Sequence, residues 1–423
     1  MHSTETDIVI MGAGPAGAAT ALRLSYLGVP CTLIDKSDFP RDKICGDALS
    51  GKITTLFNRL DPAILDRFRA NFDPADVWGI RFYPPNKREI QLPFKVGYER
   101  VPDAAPGYLS RRLDFDMFMI DEVRRRDNIN LLLNTEIGHF ERSERGYRVT
   151  SKDGQVDLDC RLLIDGTGAH SRFSRLEAGF KKDLAHHAGA VRQYYQGVTG
   201  FHEDNYIELH FLKEYNPGYF WMFPLPNGLA NIGLGMRTDF IQKRKVNLRK
   251  ELEKIVASPA FRDRFKDAKP LEKPIGYGLP LGSKKRPISG DHYLLIGDAG
   301  HLIDPLTGEG IGNGVYSGFI AAELIPKCLE ANRFDAAFLK AYDVRVARVL
   351  GTEMKLSYNI QRIMQYPWLT TPVTNFIAGN PRIVETLCRM NHDFELRKQV
   401  VNPFFWLKQM FTKSKSKVAA SAE

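Results

Sequence analysis

The hydrophobic pattern at the start of the chain predicts a strand, a glycine-rich turn, a helix and a second strand. Residues 8–10 are apolar on both faces of a strand, which is typical of a buried strand in a parallel sheet. The alanine-rich stretch 15–27 predicts the helix, and residues 30–34 predict the next strand. This order indicates a βαβ unit, the building block of a parallel sheet with helices on its faces.

Two later segments have a different pattern, made of short strand-like runs. They cover residues 76–100 and 188–240, and in the second of them the runs 219–223 and 230–235 flank an Asn-Gly turn. Because Asn-Gly between such runs is a strong hairpin signal, these segments predict an antiparallel sheet.

Together the patterns predict an α/β fold: a discontinuous, Rossmann-like nucleotide-binding domain, an inserted antiparallel-sheet domain for the substrate, and a helical C-terminal region. Within the insertion, residues 241–268 predict a charged, solvated helix, and the chain beyond 318 predicts further helices. The predicted boundaries are 1–75, 101–187 and 279–345 for the nucleotide-binding domain, 76–100 and 188–278 for the inserted domain, and 346–423 for the C-terminal region with its basic tail.

The glycine turn has the residues that a dinucleotide requires. Gly12 permits the tight turn, Gly14 lets the backbone approach a pyrophosphate, and Gly17 allows close helix–strand packing. The phosphates would then lie at the N-terminus of the helix, where free N–H groups and the helix dipole favour anions. Asp35 ends the second strand, where a ribose-binding carboxylate is expected. The neighbouring candidates for cofactor binding are Ala16 and Lys36.

A second glycine-rich segment, residues 294–314, identifies the nucleotide more closely. It contains Gly297-Asp298, then Asp304-Pro305, and then Gly308-Glu309-Gly310. A glycine turn alone serves many nucleotides. The two segments together indicate FAD, rather than a detachable nicotinamide, as the main cofactor.

The composition is that of an ordinary globular protein and argues against several classes. Of the 423 residues, 43% are hydrophobic and 26% are charged, and no run of uninterrupted apolar residues is long enough to span a membrane. The five cysteines are scattered without a CxxC pair, so neither a disulfide framework nor a zinc site is expected. The net charge of +9 is spread along the chain, so no nucleic-acid partner is expected.

Three motifs resemble the geranylgeranyl reductase family of FAD-dependent oxidoreductases, which have the p-hydroxybenzoate hydroxylase fold. Residues 40–50 are similar to the family's PxxKxCGxxxS signature, residues 217–224 to its YxWxFP segment, and residues 297–314 to its GDAxGxxxPxxGEGI segment. The order of the motifs is also that of the family. The resemblance covers roughly residues 5–330.

The resemblance implies roles for residues near the flavin. Asp298 would bond the ribityl chain, and the helix that begins after Gly310 would direct its positive end at the flavin ring. Arg112 matches a family arginine near the cofactor, although a local ion pair with Asp116 is the alternative. The remaining cofactor-binding candidates are Lys43, Cys45, Gly46 and Gly312.

The implied reaction is the saturation of isoprenoid C=C bonds in a prenyl lipid or a prenyl diphosphate. Reduced FAD would deliver a hydride from N5, and NAD(P)H or a reduced ferredoxin would supply the electrons. The catalytic candidates are Cys45, Tyr219 and Trp221. Tyr219 and Cys45 are both possible proton donors, and aromatic side chains of the 217–224 segment would line an apolar channel.

Other functions remain open at this point. A flavin-dependent monooxygenase or halogenase acting on a hydrophobic substrate would use the same fold, and a flavoprotein could also bind a lipid without turning it over. Asp165-Gly-Thr167-Gly168 stands where family members commonly have Gly-Ala-Asp-Gly. This departure is closer to halogenases and lycopene cyclases, and leaves the docking of a nicotinamide donor open.

The C-terminal tail predicts contact with a membrane. Residues 404–417 combine an aromatic cluster with a run of lysines, which is typical of a segment that lies on an anionic bilayer. The N-terminus runs directly into the first strand without a signal-peptide pattern. We therefore expect a cytoplasmic protein, with peripheral attachment to the inner face of the membrane.

Overall fold

The computed structural model describes residues 3–86, 88–94 and 105–366, together with the single residues 368, 372, 375 and 380. The helices are α1 Pro15–Tyr26, α2 Gly51–Leu60, α3 Ala63–Phe72, α4 Arg112–Arg124, α5 Arg172–Leu176, α6 Thr238–Arg244, α7 Leu248–Val256, α8 Ile311–Ala331 and α9 Ala336–Met364. The strands are β1 Thr4–Met11, β2 Cys31–Ile34, β3 Ala48–Leu49, β4 Ala75–Val77, β5 Gly79–Tyr83, β6 Ile90–Pro93, β7 Gly107–Leu109, β8 Ile129–Leu132, β9 Ile137–Arg142, β10 Tyr147–Ser151, β11 Asp157–Asp165, β12 His187–Gln196, β13 Ile207–His210, β14 Gly218–Pro224, β15 Leu229–Arg237, β16 Lys269–Pro270, β17 Ile275–Pro280, β18 Ser289–Gly290 and β19 Tyr293–Leu295.

The first sheet has a parallel centre in the order β19-β11-β1-β2-β8, and β18 pairs with β19 at its edge. The strands β9 and β10 form an antiparallel extension on β11. The helix α1 connects β1 to the parallel strand β2, so the βαβ unit expected from the sequence is confirmed. The α/β class is confirmed with it.

Small residues explain how α8, nearly three hundred positions later in the chain, packs directly on α1. A Cβ on Gly318 would lie 2.5 Å from Thr20 Oγ1 and 2.7 Å from the carbonyl oxygen of Ala16. Gly314 likewise faces Ala16, at 3.3 Å from its Cβ. Side chains at these glycines would separate the helices, so the small residues hold the two glycine-rich segments in one place.

The second sheet runs β16-β12-β15-β14-β13-β5-β6, and β17 also pairs with β12. The predicted hairpin is confirmed, since β14 and β15 pair antiparallel with Trp221 opposite Gly233. A Cβ on Gly233 would lie 2.1 Å from the Trp221 ring, so a glycine is required beneath the indole. A third, small sheet has the order β3-β7-β4.

The prediction of a charged, solvated helix over residues 241–268 is wrong. The region forms α6, α7 and a 3-10 turn, Arg262–Phe265. Lys245 has a left-handed backbone (φ 53°) that ends α6, and the Asn247 side chain accepts from the Lys250 N–H to begin α7. Because Leu252 and Ile255 of α7 are buried against the second sheet, this helix has a packed face rather than full exposure to solvent.

The chain after residue 311 is helical as far as the structure describes it continuously, in α8 and α9. The rest of the predicted C-terminal region, with the basic tail, lies outside the described residues. No helix within the described ranges has the length and apolarity needed to cross a bilayer.

Candidate active site

One cavity of about 910 Å³ lies between the first and second sheets. This volume is at the upper end for small-molecule and cofactor sites. The predicted site residues that border the cavity are Gly12, Gly14, Ala16, Asp35, Lys36, Lys43, Cys45, Gly46, Arg112, Tyr219, Trp221, Asp298 and Gly310. Residues from both ends of the sequence thus meet at one site.

Two predicted residues, Gly17 and Gly312, are not among the described residues that border the cavity. Gly17 lies against the glycine turn, where a Cβ would be 1.8 Å from the carbonyl oxygen of Gly12. Gly312 lies in the first turn of α8, and a Cβ there would be 2.3 Å from Glu309 Oε1. Both glycines shape the backbone around the site.

The glycine turn leaves room for a pyrophosphate. Gly12 has a φ of +95°, and a Cβ there would lie 2.5 Å from the carbonyl oxygen of Gly166. At Gly14 the nearest atom to an added Cβ is Arg41 Nη2 at 3.5 Å. No side chain among the described residues caps α1, which begins after Gly14. Gly14, Pro15 and Ala16 border the cavity, so the N-terminus of α1 offers an anion site there, and the residues present fit FAD.

Asp35 is held at the end of β2 by backbone donors. Its carboxylate accepts from the N–H groups of Ala13, at 2.7 Å, and Ser37, at 2.9 Å, and the side chain is buried. The carboxylate is thereby fixed beside the glycine turn, at the place where a ribose would lie. The next residue, Lys36, is exposed at the rim of the cavity.

Asp298 lies close to the N-terminus of α8. A Cβ on Gly310 would be 3.1 Å from its Oδ1, and its Oδ2 is 3.3 Å from Lys43 Nζ. Lys43 belongs to the 40–50 motif and Asp298 to the 297–314 motif, so this ion pair joins the two. No described side chain caps the N-terminus of α8, which borders the cavity at Gly310 and Ile311.

Arg112 forms the ion pair with Asp116 that the sequence left as an alternative. Its guanidinium donates two hydrogen bonds of 2.7 Å to the carboxylate, and both side chains are buried. Arg41 Nη1 lies 3.2 Å from the same carboxylate. Arg112 also interacts with the side chain of Cys45, so the ion pair positions the arginine beside the Cys45-Gly46 turn.

The three catalytic candidates come together at the cavity. The hydroxyl of Tyr219 donates to the carbonyl oxygen of Thr307, and burial together with Asp304 and Cys45 raises its pKa. The tyrosine is therefore a neutral phenol at physiological pH. The indole N–H of Trp221 donates to Asn231 Oδ1 over 2.8 Å.

Sequence reasoning gave no role to Asp47, which borders the cavity, or to Asn231, which contacts Asp47, Cys45 and Trp221. Asn231 Nδ2 donates to Asp47 Oδ2 at 2.8 Å and to the Cys45 carbonyl oxygen at 2.7 Å. Both side chains are fully buried. The available signal was local for Asp47, since an acid directly follows Cys45-Gly46, and there was none for Asn231.

Residues 165–168, which depart from the family pattern, form a tight turn that is held by hydrogen bonds to Asp165. Asp165 is buried at the end of β11, and its Oδ1 accepts from the Thr167 N–H at 3.0 Å and the Thr167 hydroxyl at 2.6 Å. Its other carboxylate oxygen accepts from the hydroxyls of Ser171 and Ser174. Asp165 therefore fixes the loop that packs against Gly12.

The parallel sheet, the two uncapped helix N-termini and the cavity between the sheets define the class of protein, an FAD-dependent oxidoreductase. The chain belongs to the FAD-binding domain family, whose model matches residues 5–350. It is 28% identical over 330 residues to digeranylgeranylglycerophospholipid reductase 2 of Methanosphaera stadtmanae, covering 76% of this chain and 79% of that one. It is 30% identical to menaquinone reductase of Mycobacterium tuberculosis over 331 residues, or 75% and 76% of the two chains. The predicted resemblance to geranylgeranyl reductases is thereby confirmed.

Solved structures agree on the fold. A geranylgeranyl bacteriochlorophyll reductase-like protein from Thermoplasma acidophilum superposes with a TM-score of 0.76 at 20% identity, covering 97% of this chain and 99% of that one. The flavin-dependent brominase Bmp2 also has a TM-score of 0.76 and 20% identity, with 96% and 100% covered. At these identities the likeness concerns the fold alone.

Proposed function

We propose that the protein is an FAD-dependent reductase that saturates isoprenoid C=C bonds in the prenyl chain of a lipid or prenyl diphosphate. The observation that carries the proposal is the continuity of the cavity. One part is bordered by the glycine turn and the flavin motifs, and the other by apolar side chains of the second sheet and α9, namely Ile80, Ile207, Leu209, Phe211, Leu350 and Met364. A hydrocarbon chain in the apolar part would reach the flavin.

The reduction of an isoprenoid C=C bond requires a site that excludes water. An isolated alkene is unpolarised and competes poorly with water for reactive groups. Reduced FAD, when bound, supplies a hydride at N5. The chain's own residues supply the surroundings. Trp221 and Phe223 are buried in one apolar cluster with Leu209 and Phe211, and exclude water from the flavin side of the second sheet. Lys43, Arg41 and the N-terminus of α1 would hold the anionic part of the cofactor.

We assign the second sheet to the substrate and the first to FAD, with the domain boundaries predicted from the sequence. The names of the relatives favour a prenyl-chain lipid as substrate, since one is named for a digeranylgeranyl lipid and the other for menaquinone. We propose NAD(P)H or a reduced ferredoxin, hence an electron-donor protein in the second case, as the source of electrons.

The test is anaerobic turnover. Purified protein reduced with dithionite is mixed with geranylgeranyl diphosphate, with digeranylgeranylglycerophospholipid or with menaquinone, and products are followed by mass. We expect a gain of two hydrogen atoms per reduced bond, with flavin reoxidised in step. The absence of any gain with all three probes would contradict the proposal.

The second candidate function is that of a flavin-dependent monooxygenase or halogenase. The segment Asp165-Gly-Thr167-Gly168, which stands where family members commonly have Gly-Ala-Asp-Gly, favours it. The same experiment separates the two, because this function predicts no anaerobic product, and fast flavin reoxidation with product formation after oxygen is admitted.

We also propose that the tail at residues 404–417 attaches the protein to an anionic membrane surface. Each lysine near such a surface contributes about 1 kcal/mol to the free energy of membrane binding. A chain ending at Asn402 is expected to lose sedimentation with phosphatidylserine vesicles, while retaining its flavin. Neutral phosphatidylcholine vesicles are the control, and unchanged binding of the shortened chain to anionic vesicles would contradict the proposal.

A further inference from the structure

Asp47 is a fully buried acid beside the catalytic candidates. It borders the cavity with a fully buried side chain, directly after the Cys45-Gly46 turn. Its backbone is left-handed, with a φ of +67°. Non-glycine residues seldom adopt this conformation, and such strain is concentrated at functional sites.

The two oxygens of Asp47 have different surroundings. Oδ2 accepts a 2.6 Å hydrogen bond from the Tyr194 hydroxyl and a 2.8 Å bond from Asn231 Nδ2. Oδ1 accepts one long bond, 3.2 Å, from the N–H of Arg112. Because Oδ2 already receives two strong donors, Oδ1 is the oxygen on which a proton would be carried.

The same network fixes the neighbouring candidates. Asn231 accepts from the indole of Trp221 and donates to the carbonyl oxygen of Cys45, both within 2.8 Å. The Arg192 guanidinium lies 3.9 Å from the centre of the Tyr194 ring. A side chain placed by this many contacts has little freedom, which is what a group that must meet one carbon of a substrate requires.

From this geometry we infer that Asp47 is the general acid that protonates the substrate alkene, an inference that rests on the proposed reductase function. In the step, the O–H bond of the Asp47 carboxyl breaks and the π pair of the alkene forms a C–H bond to that proton. The second C–H bond would use the hydride that reduced FAD would supply when bound. The resulting carboxylate is stabilised by the donors from Tyr194, Asn231 and Arg112.

The electrostatics agree with this role. Burial raises the pKa of Asp47 to about 6, although the hydrogen bonds from Tyr194 and Asn231 and the charges of Arg192 and Arg112 oppose the rise. A raised pKa keeps the acid protonated up to that pH, so turnover should fall as pH rises through about 6. Among the described residues, the titratable and charged groups that act on Asp47 are Arg111, Arg112, Arg192 and Tyr194.

Other acids and donors near the cavity are less suited. Asp304 is buried there too, but its Oδ1 accepts from the N–H groups of Leu306 and Thr307 and from the Thr307 hydroxyl, and thus shapes the loop. The Tyr219 hydroxyl already donates to the carbonyl oxygen of Thr307.

The experiment compares pH–rate profiles of wild type, Asp47→Asn and Tyr194→Phe with the prenyl probe that the wild type reduces. The asparagine keeps the shape but carries no acidic proton, so we expect turnover to fall at least ~100-fold with flavin content and dithionite reduction unchanged. The phenylalanine removes a donor that favours the ionised form. The falling limb of the profile, where the rate declines with rising pH, should therefore move up by about one pH unit.

The outcomes separate this inference from the function on which it rests. Asp153→Asn, at an exposed residue, is the control and should leave the profile unchanged. A profile in which Asp47→Asn retains the wild-type rate, or in which Tyr194→Phe leaves the falling limb at the wild-type pH, would overturn the inference alone. Failure of the wild type to reduce any probe would overturn the proposed function, and the inference with it.

Discussion

Gly17→Val is expected to yield a protein that retains almost no FAD and unfolds at a much lower temperature. The Cβ would lie 1.8 Å from the carbonyl oxygen of Gly12, which is backbone and cannot rotate away. To relieve the clash, α1 must move off β1, and the glycine turn must open. Overpacking in well-packed regions costs roughly 1–3 kcal/mol and occasionally more, and here the displaced helix end is also the phosphate site. The measurements are visible flavin absorbance after purification and thermal unfolding.

Two matched glycine variants divide this effect into folding and binding. Gly14→Ala has open space around its Cβ, apart from Arg41 Nη2 at 3.5 Å, so the fold should be kept and FAD affinity lowered. Gly351→Ala lies inside α9, away from the glycine turn, and should stabilise the protein by up to about 1 kcal/mol without changing FAD retention. Normal flavin content and melting temperature in Gly17→Val would show that α1 is not packed as described.

Much of the flavin side of the site could be predicted because its residues are adjacent in sequence. The turn from Gly12 to Gly17 and the start of α8 after Gly310 depend on local backbone requirements, which glycine spacing records directly. The β14–β15 hairpin followed in the same way from its Asn-Gly turn. Features that depend on residues close together in the chain can therefore be predicted from a single sequence.

The substrate side could not be predicted, because its contacts join residues far apart in the chain. Tyr194 and Asn231 reach Asp47 across 147 and 184 positions, and no periodicity records such a contact. The α9 residues Leu350 and Met364 border the cavity although their sequence carries little family resemblance. The charged composition of 241–268 likewise concealed the apolar face of α7, because three residues at helical spacing form that face: Leu248, Leu252 and Ile255.

Arg112→Met is the second change with a large expected effect, and it decides between the two roles considered for this arginine. Asp116 is 0% exposed, and the substitution leaves Arg41, at 3.2 Å, as its one ion-pair partner among the described residues. Removing one partner of a buried pair costs about 3–5 kcal/mol, so we expect a loss of this size in urea unfolding of the flavin-free protein. Arg148→Met is the matched control: that arginine also binds its aspartate with two hydrogen bonds but is 39% exposed, so water screens the pair and its loss should leave the urea midpoint nearly unchanged.

The double variant Arg112→Met with Asp116→Leu separates the ion pair from a contact with the cofactor. Removing both charges abolishes the uncompensated carboxylate, so most of the lost stability should return, since apolar replacements of buried pairs are often neutral or stabilising. If stability returns but FAD affinity stays low, Arg112 binds the cofactor in addition to pairing with Asp116. If both return, its role is to hold the Cys45-Gly46 turn through the ion pair. A loss below 1 kcal/mol in the single variant would contradict the buried pair itself.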